Sequence, residues 1–88
     1  MKIRHHPSFK KAFKKRIGNN KKLIQKVQAR IDLFVKNSND PMIKDHQLTG
    51  AKKDHRAFWI TGDIRIIYYP VSKNEVLFID IGTHNQVY

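Results

Sequence analysis

Residues 62–69 read Gly62-Asp63-Ile64-Arg65-Ile66-Ile67-Tyr68-Tyr69, and Pro70 follows. Ile64, Ile66 and Tyr68 alternate with Arg65, Ile67 and Tyr69, the period of a β-strand with two distinct faces. Thr61-Gly62-Asp63 before it has the composition of a tight turn, and Pro70 is expected to end the strand. Upstream, His55 to Ile60 is rich in aromatic and branched residues and reads as a second strand. Downstream, Ser72-Lys73-Asn74 turns the chain again, and Val76 to Ile81 makes a third strand that Gly82 is expected to stop. A polar-aromatic tail, Thr83 to Tyr88, closes the sequence.

The N-terminal half follows a different period. Residues 1–5 suit the start of a short strand. Pro7 and Ser8 then open a helix, because proline fits a first helical turn. Phe9, Ala12, Phe13 and Ile17 recur at helical spacing until Gly18-Asn19-Asn20 breaks the run. A second helix is predicted from about Asn20 to Lys36, with Leu23, Ile24, Val27, Ile31, Phe34 and Val35 as its apolar stripe. Asn37 to Pro41 is a loop by composition, and residues 42–54 read as irregular. The order predicts a single α+β domain over residues 1–88: two antiparallel N-terminal helices packed on a small twisted, mainly antiparallel β-sheet.

Composition narrows the function classes. The chain has 88 residues and a hydrophobic fraction of 40%, enough for one core. Cysteine is absent, which excludes a disulfide framework, a thiol nucleophile and a Cys-based zinc site. No apolar run approaches the ~20 residues that span a bilayer, and no secretory h-region follows the basic N-terminus. The expectation is a cytoplasmic protein with no membrane partner.

Lys and Arg total 18 against 7 Asp and Glu, a formal charge of +11. The first 31 residues hold no acid at all; Asp32 is the first. Lys10, Lys11, Lys14, Lys15, Lys21 and Lys22 therefore form a dense positive field on the helices. Such a field suits a polyanion, and nucleic acid is preferred over a merely solubilising face because the charge far exceeds what solubility needs. An acidic protein segment fits the same field.

Arg65 stands alone inside an apolar strand. A charge there faces water, pairs with an acid such as Asp63 or Asp80, or lines a site where its planar donors could hold a phosphate. His46 and His84 lie in polar segments flanking the strands, and an imidazole can serve as acid or base near neutrality. His5 and His6 read as surface residues. Zinc on His46, His84 and Asp63 lacks close ligand spacing. Tyr88 and Trp59 could stack on an unpaired base, though Trp59 reads slightly better as a half-buried strand residue. The four glycines are scattered, so no phosphate loop is present, and Glu75 is the only glutamate, which argues against a paired-glutamate mechanism.

Lys44-Asp45-His46-Gln47-Leu48-Thr49-Gly50, Gly62-Asp63-Ile64-Arg65-Ile66-Ile67-Tyr68, Gly82-Thr83-His84 and the terminal Tyr88 together resemble the RelE/ParE toxin superfamily, most closely its YafQ-like branch. The resemblance spans the chain in length and element order, and the stretch from Lys44 to Tyr88 carries nearly all of its specificity. It implies a RelE-like fold, the toxin of a type II toxin–antitoxin system, and an mRNA interferase that cuts message in the ribosomal A site. It also implies a cognate antitoxin that covers the active surface. By position, His46, Asp63 and His84 match the family's catalytic His, Asp and His. Arg65 matches an arginine that holds the scissile phosphate, and Tyr88 falls where the family has a C-terminal aromatic. Lys44 and Arg56 join Tyr88 as the expected substrate-binding set, and the helix lysines are expected to meet ribosomal RNA. Ala57 and Trp59 stand where some YafQ-like members carry Asp and His, and Ile64 where some carry Trp.

Cleavage by the substrate's own 2′-OH calls for no metal, cofactor or protein nucleophile. Two imidazoles, a carboxylate and a guanidinium suffice for the proton transfers and the phosphoryl charge. The alternatives are a ParE-like toxin that inhibits gyrase on the same scaffold, and an RNA-binding protein without activity.

Overall fold

The computed structural model describes residues 1–88. Strand β1 (Lys2–His5) leads into helix α1 (Pro7–Ala12). His6 caps α1, its Nδ1 accepting the Ser8 amide at 3.0 Å, and Pro7 takes the first turn, where its missing N–H is not needed. The helix continues as one π-helical turn, Phe13–Ile17, and ends at Gly18 with φ +60°, a conformation that glycine enters without steric cost. Helix α2 (Lys21–Lys36) starts with Asn20 as cap, its side-chain oxygen accepting the Leu23 amide at 3.1 Å.

Strand β2 (His46–Gln47) and a 3₁₀ turn (Gly50–Lys52) follow the loop after α2. Strands β3 (Arg56–Trp59), β4 (Ile64–Ser72) and β5 (Glu75–Thr83) form the centre, and a short helix α3 (His84–Val87) ends the fold. The five-stranded sheet has the order β1-β5-β4-β3-β2. Strand β1 pairs parallel with β5, and the other pairs are antiparallel. The expected α+β architecture, helices on a mostly antiparallel sheet, is the one observed.

The helices cover one face of the sheet. Phe34 of α2 stacks on Phe58 of β3 with ring centroids 4.4 Å apart and meets the edge of Tyr68 at 5.0 Å. Phe9, Val27, Ile66, Phe78 and Ile81 belong to the same main core. The opposite face has a smaller core of its own, made of Leu48, Ala57, Ile67 and Val87. The centre of the sheet is therefore buried on both sides.

Strand β1 covers β5 only as far as Phe78. Beyond it, side chains close the open edge: Ser8 Oγ donates to the Ile79 carbonyl at 2.6 Å, and Arg16 Nη1 donates to the Ile81 carbonyl at 3.0 Å and pairs with Asp80 at 2.9 Å. These bonds satisfy strand carbonyls that would otherwise be open to another chain.

The strands run further than the sequence reading placed them. Pro70 does not end β4: it stays paired with Val76 of β5, while β3 reaches only to Tyr68 and leaves the other side of the strand open at Pro70. Gly82 does not stop β5; it pairs with Arg65 inside the strand. A Cβ on Gly82 would lie 2.7 Å from Gln86 Oε1 and 3.0 Å from Arg16 Nη1, so glycine leaves room for the ends of these two side chains. Strand β2 and helix α3 both lie in segments read as irregular.

Replacing Phe34 with alanine leaves a cavity between α2 and the sheet. The expected loss is about 3–5 kcal/mol of unfolding free energy by urea titration, with the m-value unchanged.

Candidate active site

The register of β3, β4 and β5 sets the site. Trp59 pairs with Arg65, Ala57 with Ile67, and Arg65 with Gly82, so these residues share the face away from α1 and α2. Strand β2 places His46 opposite Ala57, and α3 places His84 and Tyr88 at the end of β5. Val87 anchors α3 in the smaller core. A capping box joins Thr83 and Gln86, with the Thr83 amide donating to Gln86 Oε1 at 2.8 Å. Lys52 Nζ bonds the Val87 carbonyl and ties the 3₁₀ turn to α3. These elements enclose an open cleft of about 540 Å³.

Arg65 forms the floor of the cleft. It is 9% exposed, and its Nε has no hydrogen-bond partner. Its guanidinium carbon lies 5.4 Å from the Trp59 ring and 5.6 Å from the Tyr88 ring, so it sits between two aromatic side chains. No Asp or Glu side chain lines the cleft. The sequence left open a pairing of Arg65 with Asp63 or Asp80. Asp80 instead pairs with Arg16, and Asp63 forms no ion pair. A buried charge without a counter-ion is costly, and an anion entering the cleft would relieve that cost.

The two imidazoles flank this floor in defined tautomers. His46 Nδ1 lies 2.8 Å from the Lys44 carbonyl. A carbonyl only accepts, so Nδ1 carries the proton and Nε2 of the neutral ring holds a free lone pair. His84 Nδ1 faces Arg65 Nη1 at 3.4 Å. A guanidinium only donates, so Nδ1 accepts and Nε2 carries the proton. His84 also meets Tyr88 edge to face, with centroids 4.5 Å apart.

Four of the residues singled out in the sequence thus come together: His46, Arg65, His84 and Tyr88. Three others do not line the cleft. Lys44 lies beside it, with Nζ 5.1 Å from the Trp59 ring. Asp63 is exposed in the β3–β4 turn, one residue beyond the Ile64–Thr83 pair, and its amide bonds Thr61 Oγ1 at 3.1 Å. Arg56, expected to bind substrate, pairs with Asp45 at 3.2 Å instead; in the β3–β4 register it lies opposite Tyr68, on the helix side of the sheet. Lys10, Lys11, Lys14, Lys15, Lys21 and Lys22 are exposed on the helical layer, outside the cleft. Conversely, Lys52 lines the cleft and was missed, because nothing in a polar irregular stretch marks which lysine turns inward. Trp59 is half-buried, as its strand position suggested. No three His, Asp or Glu side chains converge closely enough to hold a metal ion, so His46, His84 and Asp63 do not assemble a zinc site.

Similar structures share this arrangement of elements. A metal-bound toxin from Helicobacter pylori is 27% identical, with a TM-score of 0.73 over 100% of this chain and 99% of that one. The DinJ-YafQ complex of E. coli contains a chain 24% identical, with a TM-score of 0.76 over 98% of this chain and 96% of that one. A YoeB/ParE toxin from Agrobacterium tumefaciens is 18% identical at a TM-score of 0.76, over 96% of this chain and 99% of that one. No curated protein matches the chain in sequence. The family model for YafQ, described as the bacterial toxin of a type II toxin-antitoxin system, matches residues 1–88, and the chain belongs to that family.

Proposed function

We propose that this toxin is an endoribonuclease that cuts mRNA in the ribosomal A site and so stops translation. The observation that carries the reading is Arg65: a buried guanidinium with no counter-ion, set between two imidazoles that offer a lone pair and a proton. One phosphodiester fits that chemistry. Arg65 neutralises its non-bridging oxygens and stabilises the charge that builds as the phosphorus becomes five-coordinate. The His46 Nε2 lone pair takes the proton from the 2′-OH, which attacks the adjacent phosphorus. The bond from phosphorus to the 5′ oxygen breaks, and the His84 Nε2–H protonates that oxygen. The products are a 2′,3′-cyclic phosphate and a 5′-OH.

Tyr88 is exposed at the mouth of the cleft and supplies a surface on which a base can stack, which aligns the attack. Lys52, and Lys44 beside it, add positive charge for the neighbouring phosphates. Asp63, matched by resemblance to a catalytic aspartate, is proposed to act from the turn next to His84. The exposed lysines of α1, the π turn and α2 are proposed to contact ribosomal RNA, which accounts for a basic surface larger than one active site. A cognate antitoxin is the expected protein partner, as in the E. coli complex of DinJ with YafQ.

Primer extension on translated message tests the assignment. His46→Ala and His84→Ala should each slow cleavage about 10²–10⁴-fold, and Arg65→Ala about 10²–10³-fold or more. Arg65→Lys should recover little, because an ammonium cannot reproduce the planar fork. Wild-type rates in all three alanine variants would end the catalytic assignment. No breaks, together with loss of DNA supercoiling, would point to gyrase instead.

The lysine face makes a separate prediction. Changing Lys10, Lys11, Lys14 and Lys15 to glutamine should weaken ribosome binding in a sedimentation assay. The log–log salt dependence should flatten by about 0.7–0.9 for each phosphate that the variant no longer neutralises.

A further inference from the structure

Asp45 is the acidic residue nearest His46 in sequence, yet its side chain turns away from the cleft. It is 9% exposed. Tyr68 OH lies 2.8 Å from Oδ1 and 2.9 Å from Oδ2, and Arg56 Nε lies 3.2 Å from Oδ1. Burial, and then the bond to this carboxylate, push the Tyr68 phenol well above its ordinary value, so it remains the donor. Tyr68 is itself fixed by the edges and faces of Phe34 and Phe58. Asp45 is thus tied to the aromatic centre of the main core.

The chain on either side of Asp45 is constrained in turn. Ile43 is fully buried, and its carbonyl accepts the Trp59 amide at 2.6 Å. Between these two anchors lies Lys44, with φ +47°, the one non-glycine residue of the chain in the left-handed region. A side chain there costs about 1 kcal/mol or more and persists only where the surroundings over-determine it. The left-handed turn has a visible consequence. It points the Lys44 carbonyl at His46 Nδ1, and that bond selects the tautomer with Nε2 free. A free imidazole prefers the other tautomer.

We propose that Asp45, held by Tyr68 and Arg56, is a positioning residue for His46: it fixes the left-handed turn at Lys44 that aims the Lys44 carbonyl at Nδ1 and presents Nε2 to the cleft. The importance of that lone pair rests on the ribonuclease reading; the geometry itself does not. Arg56 then serves the reaction from the far side of the sheet, by neutralising Asp45, and not by touching substrate.

Protein with ¹⁵N-labelled imidazoles separates the two claims. At alkaline pH, long-range ¹H–¹⁵N spectra of the free protein report each tautomer. His46 of the wild type should show the proton on Nδ1. Asp45→Asn should move it toward the Nε2-protonated form, while His84, held by Arg65, should not change. Tyr68→Phe, which keeps the ring packing and leaves Arg56 alone on the carboxylate, should give a smaller movement in the same direction. Cleavage by both variants should fall about 10–100-fold in kcat with KM little changed. An unaltered His46 tautomer in folded Asp45→Asn overturns the proposal. If that variant does not fold, an unaltered tautomer in Tyr68→Phe does so. A wild-type protein that cuts no message would remove the ribonuclease reading and leave the tautomer result standing.

Discussion

A buried guanidinium without a counter-ion organises this molecule. Arg65 lies on the central strand of the sheet, between partly buried Ile64 and buried Ile66. Moving such a charge out of water is costly by itself, several kcal/mol after relaxation. Two features hold it there. Trp59 and Tyr88 flank the guanidinium with the faces or edges of rings, an interaction of order 0.5–2 kcal/mol each when desolvated. The cleft above it is open, so water or an anion can reach the remaining donors. The cleft thus leaves Arg65 both its charge and an open approach for an anion.

That arrangement needs a sheet with two different faces. The helix face is a large aromatic core that supplies most of the stability, built around Phe34, Phe58 and Phe78. The core on the cleft face has just four buried residues, and these serve to seat β2, the 3₁₀ turn and α3 around Arg65. None of the three paired acids meets Arg65: Glu75 pairs with Arg4, Asp80 with Arg16, Asp45 with Arg56.

The local signals in the sequence were sufficient for the framework. Pro7, Gly18 and Asn20 bound the helices, and the alternation through Ile64 to Tyr69 separates a core face from a site face; both are consequences of backbone geometry and side-chain period. What local signals could not carry was anything decided by a partner far along the chain. Pro70 stays in strand because β3 is short. Gly82 stays in strand because it pairs with Arg65, and the space a Cβ would fill takes the ends of Gln86 and Arg16. Arg56 and Arg65 look alike in sequence, each basic and next to apolar residues. Register alone assigns one to Asp45 and leaves the other alone in the cleft. The RelE-type resemblance supplied His46, His84 and Arg65 by position, and folding brings these three to one cleft.

Ala57 and Trp59 show how the same scaffold accommodates different residues beside its site. Some YafQ-like sequences carry an aspartate and a histidine there. In this chain Ala57 is fully buried beneath Leu48 and Val87, where a carboxylate would be desolvated and would lie on the same face as Arg65. It would neutralise the guanidinium or force the small core apart. Trp59 instead adds a ring beside Arg65 and a resting place for Lys44. Strand β3 carries no histidine, and the two imidazoles at the cleft, His46 and His84, present opposite tautomers, one a lone pair and the other a proton. The backbone that sets the His46 tautomer is thereby as much a part of the site as the imidazole it orients.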